Sequence, residues 1–261
     1  MRNTELAEIR DLPLFRTMDE DNFLSLTQAA YDQTFPAQVQ LIEEGATADF
    51  LHVVMEGSVE LFATWQGHET TMAVVNPIST FILAACIQDA PYLMSARTLG
   101  RTRVVMVPSV DLRTIFLNDP NFALATITEL AACYRSVVRH TKNLKLRTAR
   151  ERLAAYILRQ VRSRGNGAGF TLPVEKRLLA SYLGVTPESL SRLMKSLQDC
   201  GVHIEGQRIT LTDPALLAEV AKPDALLDGP DPAGPSIGLG LPDCDLGTAQ
   251  PDARRALRET S

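Results

Sequence analysis

Two patterns of hydrophobic spacing divide the chain into unlike halves. In the first half, short apolar runs at 39–42, 51–55, 58–63, 71–75 and 102–107 are separated by turn residues such as Gly45, Gly57 and Asn76-Pro77. Runs of this length between turns predict the strands of a β-sandwich or barrel. In residues 120–142 and 176–200, apolar residues recur every three or four positions, which predicts helices. The expected fold class is therefore α+β.

The first of these helical patterns has the spacing of a coiled coil. Within residues 120–142, six positions alternate at spacings of three and four, which are Leu124, Ile127, Ala131, Tyr134, Val138 and Thr141. Such a row forms the seam between two paired helices, so it predicts a homodimer. The alternative is a single helix buried within a monomer. Residues 143–145 are predicted to be the hinge that follows.

A pair of short helical patterns follows in residues 176–200, on either side of Gly184. Glycine permits the left-handed backbone of a tight turn. Thr186 is a suitable N-cap and Pro187 suits the first helical position, so the second helix should begin near residue 187. Two alternating runs around Glu205-Gly206 then predict a β-hairpin. Together these elements predict a winged helix-turn-helix at 145–218.

The second helix presents polar residues that suit DNA contact. Leu190, Leu193, Met194 and Leu197 form its apolar stripe, which leaves the remaining positions for solvent or a ligand. Arginine matches the two major-groove acceptors of guanine, and a carboxylate accepts from the cytosine amino group. A plain surface ion pair between Glu188 and Arg192 is the alternative. The predicted DNA-binding residues are Thr186, Glu188, Ser189, Ser191, Arg192 and Lys195, with Lys176 and Arg208 nearby.

Charge is distributed unevenly along the chain. The net charge is −5, but residues 139–221 contain 14 basic and 7 acidic residues, a net charge of +7. Residues 1–138 contain 8 basic and 17 acidic residues, a net charge of −9. A basic C-terminal domain suits contact with phosphates, while an acidic N-terminal half does not.

The segment YLGVTPESLSRLMKSL at 182–197, the wing after it and the layout of the chain resemble the CRP/FNR family of bacterial transcription regulators over residues 8–220. The resemblance implies a cyclic-nucleotide-binding-type β-roll (jelly roll) at 8–118 that senses a signal, and a dimerisation helix with hinge at 119–144. It also implies binding to double-stranded DNA as a homodimer, activation of transcription and contact with RNA polymerase. Glu188, Ser191 and Arg192 form an E-x-x-S-R pattern similar to the FNR and FixK branch, whose half-site is TTGAT-like. The CRP branch carries glycine in place of Ser191.

The ligand segment of the β-roll departs from this family. Cyclic-nucleotide binders carry a Gly-Glu pair and then an Arg-Ser pair for the phosphate, but here Phe81-Ile82 and Met94-Ser95 occupy those places. A buried phosphate without its cation would be destabilised by several kcal/mol. We therefore do not expect cyclic AMP to bind, although Arg97 shares the strand face of Ser95. The segment is either a plain apolar core or a pocket for an apolar ligand or haem.

Haem would need axial donors, because its iron is held by side chains such as histidine or methionine. The candidates are His52, His68, Met72 and Met94, of which His52 and Met94 are the cofactor candidates that remain. A histidine in an apolar strand such as His52 is more often a core residue, and His68 sits in a polar turn. No cofactor is assigned, and haem sensing of a gas stays open.

The four cysteines exclude an iron–sulfur or zinc site. Cys86, Cys133, Cys200 and Cys244 lie in different regions without C-x-x-C spacing. Scattered thiols fit a reducing compartment, and the chain lacks an apolar stretch long enough to cross a membrane or a signal-peptide layout. The expected location is the cytoplasm.

The composition of the C-terminal tail and the absence of catalytic motifs lead to two further predictions. Residues 222–261 are rich in Pro, Gly, Ala and Asp, so they are predicted to be a disordered tail. No nucleophile with a nearby base and no phosphate-binding glycine loop indicates an enzyme. The predicted function is sequence-specific DNA binding and transcription regulation. A module that senses an effector without a role on DNA is the alternative from another class.

Overall fold

The computed structural model describes residues 3–163 and 169–229. The N-terminal half contains four helices and eight strands. In chain order they are α1 (Asn3–Arg10), α2 (Glu20–Gln28), β1 (Tyr31–Phe35), β2 (Gln40–Ile42), β3 (Phe50–Glu56), β4 (Val59–Trp65), β5 (His68–Val75), β6 (Ser79–Phe81), α3 (Leu83–Gln88), β7 (Ser95–Thr98), β8 (Thr102–Pro108) and α4 (Ser109–Asn118). The C-terminal half contains α5 (Pro120–Leu146), α6 (Ala149–Ser163), β9 (Gly169–Thr171), α7 (Lys176–Tyr182), α8 (Pro187–Ser196), β10 (Val202–Glu205), β11 (Arg208–Leu211), α9 (Pro214–Ala221) and α10 (Ala225–Asp228).

The strands of the N-terminal half form two antiparallel four-stranded sheets, with orders β1-β8-β3-β6 and β2-β7-β4-β5. The apolar side chains between them make one core with α1, α2, α4 and the start of α5. All five predicted apolar runs are strands. Seven segments of this half were not predicted, namely the strands β1, β6 and β7 and the helices α1, α2, α3 and α4. In β1, four of five residues are exposed, so it has no apolar alternation to detect.

The long helix α5 begins where the sequence predicts. Asp119 caps it by accepting from the backbone N–H groups of Asn121 and Phe122, and Pro120 occupies the first turn. The same carboxylate accepts from the backbone of Asp19 at 2.8 Å, which ties the helix to the β domain. The predicted hinge at 143–145 is still helical, and the chain changes direction at Arg147 instead. Residues 143–145 contain no helix-breaking residue, which explains the difference.

The C-terminal half forms a second core around α6, α7, α8 and a three-stranded sheet of order β10-β11-β9. Thr148 and Glu151 form a capping box at the start of α6, since each accepts from the other's backbone N–H. A 3-10 turn at Gln198–Cys200 ends on Gly201, whose φ of 77° is left-handed. A Cβ there would lie 2.8 Å from the backbone of Asp213, so glycine is required. The predicted winged helix is confirmed.

The tail differs from its prediction over its first residues. The segment predicted to be disordered from residue 222 contains α10 and packs against α5, while residues 230–261 lie outside the described residues. Asp224 caps α10, and this local signal was hidden within a composition typical of disorder. Within 3–163 and 169–229, no helix combines the length and the apolar character needed to cross a membrane.

Candidate nucleic-acid interface and its link to the sensor domain

The second helix of the helix-turn-helix, α8, is held by its apolar face. Leu190 and Met194 are 1% and 4% exposed, and they anchor the helix in the C-terminal core. The hydroxyl of Thr186 accepts from the backbone N–H of Ser189 at 3.2 Å, as predicted for the N-cap. This arrangement fixes the helix and leaves its polar face toward solvent.

The predicted DNA-binding residues lie on the surface. Ser189 is half-buried beside Thr186, and the other seven are exposed, namely Lys176, Thr186, Glu188, Ser191, Arg192, Lys195 and Arg208. The backbone N–H of Glu188, the Thr186 hydroxyl and the Arg192 charge together lower the pKa of Glu188. Its carboxylate is therefore ionised and can accept a hydrogen bond from a base. The contact of these eight residues with DNA stays a prediction.

One residue that supports α8 was missed from the sequence. Arg150 of α6 donates to the backbone oxygen of Ser196 at 3.4 Å and to the Sγ of Cys200 at 3.2 Å. Ser196 is the last residue of α8, and Cys200 lies in the 3-10 turn that follows it. Favourable interaction of a cation with the carbonyl end of a helix explains why arginine suits this place. Only the tertiary fold places Arg150 next to the end of α8.

The predicted dimer seam forms a continuous exposed face on α5. In the single chain, Leu124, Ile127 and Tyr134 are 65%, 57% and 70% exposed, and Val138 is 39% exposed. Ala131 and Thr141 are also exposed. The opposite face is buried in the β domain through residues such as Phe122 and Thr126. A helix with one face already packed and a second apolar face in solvent favours pairing over the monomer alternative.

In the β domain, Arg97 is committed to carboxylates. Its Nε donates to Glu60 at 2.8 Å, its Nη1 donates to Glu69 at 2.9 Å, and its guanidinium lies 4.2 Å from the centre of the Phe62 ring. Glu60 is fully buried. The hydrogen bond from Arg97 lowers the pKa of Glu69. An arginine neutralised by two carboxylates is a poor partner for a phosphate, which supports the expectation that cyclic AMP does not bind.

The same carboxylates connect the β domain to the helix-turn-helix. Arg177 of α7 lies 3.7 Å from Glu60 and 3.9 Å from Glu69. Ser181, one turn later, accepts from the backbone N–H of Thr71 at 2.6 Å. Because β5 is an edge strand, this N–H would otherwise lack a partner within the sheet. The charged cluster and the serine thus join β4 and β5 to the first helix of the DNA-binding motif.

Replacing Ser181 by alanine should loosen this contact. Loss of the hydroxyl leaves the Thr71 N–H unpaired at the sheet edge, and one net hydrogen bond contributes about 0.5–1.5 kcal/mol. We expect hydrogen exchange at the Thr71 amide to accelerate by up to about tenfold. Ser196→Ala is the matched control, since that hydroxyl bonds only within its own helix to Leu193. Equal exchange in both variants would contradict the contact.

The four haem donor candidates differ in how deeply their side chains are buried. His68 and Met72 are exposed, Met94 is half-buried against the β core, and His52 is 3% exposed. The His52 ring stacks on Phe81 with centroids 5.2 Å apart, and its Nδ1 has no hydrogen-bond partner. Of the four, His52 alone combines full burial with a free ring nitrogen. Within the described residues, no group of three or more His, Cys, Asp or Glu side chains is placed to hold a metal ion.

Burial of His52 should make folding stability depend on pH. Desolvation by burial lowers the pKa of His52 to about 4, against a smaller opposing influence of the Phe50 backbone. The unfolded chain takes up this proton near pH 6.5 and the folded chain does not, so the free energy of unfolding falls as the pH drops from 6.5 toward 4. The loss is about 3 kcal/mol. His52→Phe should abolish this part of the pH slope in denaturant titrations, and the exposed His68→Gln should retain it.

Comparison with known protein families supports both halves of this arrangement. The family model of the cyclic nucleotide-binding domain matches residues 32–119. The family model of the Crp-like helix-turn-helix domain matches residues 151–220. Together these matches cover the β domain and the winged helix, on either side of α5.

Two curated relatives are similar to this chain over most of their own length. The chain is 27% identical to the transcriptional activator protein FnrL of Cereibacter sphaeroides over 237 residues, which cover 83% of this chain and 91% of that protein. It is 23% identical to the transcriptional activator protein FnrA of Stutzerimonas stutzeri, over 69% of this chain and 76% of the relative.

Solved structures agree on the fold. FixK2 from Bradyrhizobium japonicum is 22% identical with a TM-score of 0.62, over 73% of this chain and 96% of that one. A CooA variant from Carboxydothermus hydrogenoformans is 16% identical with a TM-score of 0.64, over 85% and 97%. An effector module without a role on DNA is inconsistent with the matched helix-turn-helix, and we conclude that the chain belongs to the CRP/FNR family and is a DNA-binding transcription regulator.

Proposed function

We propose that the protein is a cytoplasmic homodimer that binds a TTGAT-like palindrome and activates transcription together with RNA polymerase. The observation that carries this proposal is the exposed polar face of α8, where Glu188, Ser191 and Arg192 stand on a rigid, capped helix. Arginine and glutamate on such a helix suit a G·C pair, because one supplies donors for guanine and the other an acceptor for cytosine. The serine supports the FNR and FixK type of half-site.

Dimerisation through α5 completes the site. Two helix-turn-helix units related by a two-fold axis place their recognition helices about one turn of DNA apart, so the preferred target is a palindrome. The exposed seam from Leu124 to Thr141 supplies the pairing surface. Each protomer would then contact one half-site.

Control by a signal fits the contacts between the domains. A ligand or modification that moves Arg97 would disturb Glu60 and Glu69, which also face Arg177 of α7. A signal shifts the protein between two arrangements only if it binds them with different affinities. Here the two carboxylates face one arginine in each domain, Arg97 and Arg177. The cluster is therefore the proposed relay between sensing and DNA binding.

The test is selection of bound duplexes from random DNA by the purified full-length protein. We expect enrichment of inverted repeats with TTGAT-like half-sites. Enrichment of unrelated sequences would contradict the assignment of α8, and enrichment of single half-sites without symmetry would contradict dimeric binding. The salt concentration must be held constant, because contacts to phosphate make the affinity strongly salt-dependent.

Haem-based gas sensing is a second candidate, and the unpaired, buried Nδ1 of His52 is the observation that favours it. Burial keeps this imidazole neutral, as a metal ligand must be. An absorption titration of the protein with haem, compared with His52→Phe, tests it. A saturable Soret band in the original protein that weakens in the variant would support haem. Identical featureless titrations would exclude this assignment of His52.

A further inference from the structure

The hinge between α5 and α6 is held by a buried arginine. Arg152, in the first turn of α6, donates to the backbone oxygen of Leu144 at 3.3 Å and of Arg147 at 2.7 Å. Its Nε donates to the backbone oxygen of Leu183 at 2.9 Å. One side chain, 8% exposed, therefore joins the end of α5, the start of α6 and the turn of the DNA-binding motif.

A second arginine at the hinge is held by the segment that follows α9. We call residues 222–229 the hinge strap, because they leave α9 and return to α5. Asp228 accepts from Nη1 of Arg147 at 2.8 Å and from Nη2 at 2.6 Å. The side chains of Arg147 and Asp228 are only 8% and 17% exposed. Two parallel hydrogen bonds of this kind fix the orientation of the guanidinium relative to the carboxylate as well as their distance.

Further contacts keep the strap in place along its length. Arg147 donates to the backbone oxygen of Lys222 at 3.0 Å, and the Nζ of Lys222 lies 2.6 Å from Glu151. The backbone N–H of Asp224 donates to Asp228 at 2.8 Å. Arg139 of α5 reaches the backbone oxygen of the last strap residue, Gly229, at 3.5 Å.

Both members of the central pair are charged at neutral pH. Burial alone would raise the pKa of Asp228, but hydrogen bonds from Arg147 and from the backbone of Asp224 outweigh it and lower the pKa. The hydrogen bond with Asp228 raises the pKa of Arg147. Breaking one member of a buried pair leaves the other charge uncompensated, so the strap should resist displacement.

We propose that Arg147 and Asp228 are positioning residues that fix the angle between the dimerisation helix and the DNA-binding domain, and so determine which half-site spacing the dimer accepts. The strap moves with the DNA-binding domain, because α9 packs along α6, and it grips the end of α5. A small change of angle at the hinge moves each recognition helix along the DNA. This inference rests on the proposed binding of a palindrome by a dimer.

The test compares the full-length protein with Asp228→Asn on palindromes whose half-sites are moved apart or together in single base-pair steps. Asparagine keeps the shape of aspartate but removes its charge and one acceptor. We expect the ratio of affinities between the best and the neighbouring spacings to fall by about tenfold, since fixed geometry is lost. Binding to a duplex with one half-site should not change. Glu219→Gln, an exposed neutralisation on α9, is the matched control.

An unchanged spacing preference in a folded, dimeric Asp228→Asn protein would overturn the proposal. Should that variant fail to fold, Arg147→Lys decides in the same way, because lysine keeps the charge and loses the two-point geometry. Hydrogen exchange at the Arg147 amide, which donates to the backbone oxygen of Asn143 at 3.3 Å, tests the strap independently of the proposed palindrome. Absence of any spacing preference in the original protein would sink the proposed palindrome, while faster exchange in the variant would still support the strap and equal exchange would overturn it.

Discussion

Arg192→Ala is expected to abolish preference for the selected half-site while leaving the protein folded and dimeric. The side chain is exposed on α8 and the core residues Leu190 and Met194 do not depend on it. Loss of an arginine that contacts guanine removes about 1–3 kcal/mol of base discrimination per half-site. Fluorescence anisotropy with the selected palindrome and with single-base variants of it measures this loss.

A charge-matched control separates base contact from electrostatic attraction. Arg162→Ala removes one exposed positive charge from the same domain, near the end of α6. It should weaken binding to all duplexes by a similar small factor, because a general loss of charge carries no sequence preference. Unchanged discrimination in Arg192→Ala would mean that other residues recognise the bases, and the assignment of the E-x-x-S-R pattern would then be wrong.

The second large effect is expected at the dimer seam. Ile127→Asp places a charge in the middle of the exposed apolar face of α5, where the side chain is 57% exposed in the single chain. Full burial of an isoleucine is worth about 1.5–3 kcal/mol, and a symmetric dimer contains two copies. We expect the dimer dissociation constant to rise by roughly a hundredfold or more. Sedimentation equilibrium measures it directly.

The control for this substitution is Leu117→Asp, on α4. Leu117 is 81% exposed and lies outside the predicted seam, so its replacement adds the same charge to another apolar surface position. The control should remain dimeric and bind DNA as the original protein does. Dimers of equal stability in both variants would show that the chains pair elsewhere or that α5 pairs in another register.

Local patterns made the DNA-binding half predictable. The N-cap at Thr186, the proline after it and the apolar stripe of α8 are properties of consecutive residues, and each is present in the structure. The exposed apolar face of α5 was predictable for the same reason, because its periodicity lies within one helix. The start of α5 at residue 120 follows from an aspartate and a proline in adjacent positions.

Where the sequence predictions were wrong, a local signal was missing or misleading. Strand β1 is mostly polar and exposed, so its membership of a sheet depends on pairing with β8 some seventy residues later, from Tyr31 opposite Met106 to Phe35 opposite Thr102. The hinge was placed within a segment that continues as helix, because nothing in residues 143–145 marks an end. The strap was assigned to a disordered tail, because its neighbours in sequence have that composition.

The sequence by itself determined the family, the order of the domains, the position of α8 and the exposed apolar face of α5, because each rests on motifs whose own residues lie within a few turns of one another. The tertiary structure alone decided where the two halves contact each other. Thr71 meets Ser181 across 110 residues, and Arg147 meets Asp228 across 81. Neither pair has a local pattern, since polar groups distant in sequence become hydrogen-bond partners only when the fold brings them together and shields them from bulk water.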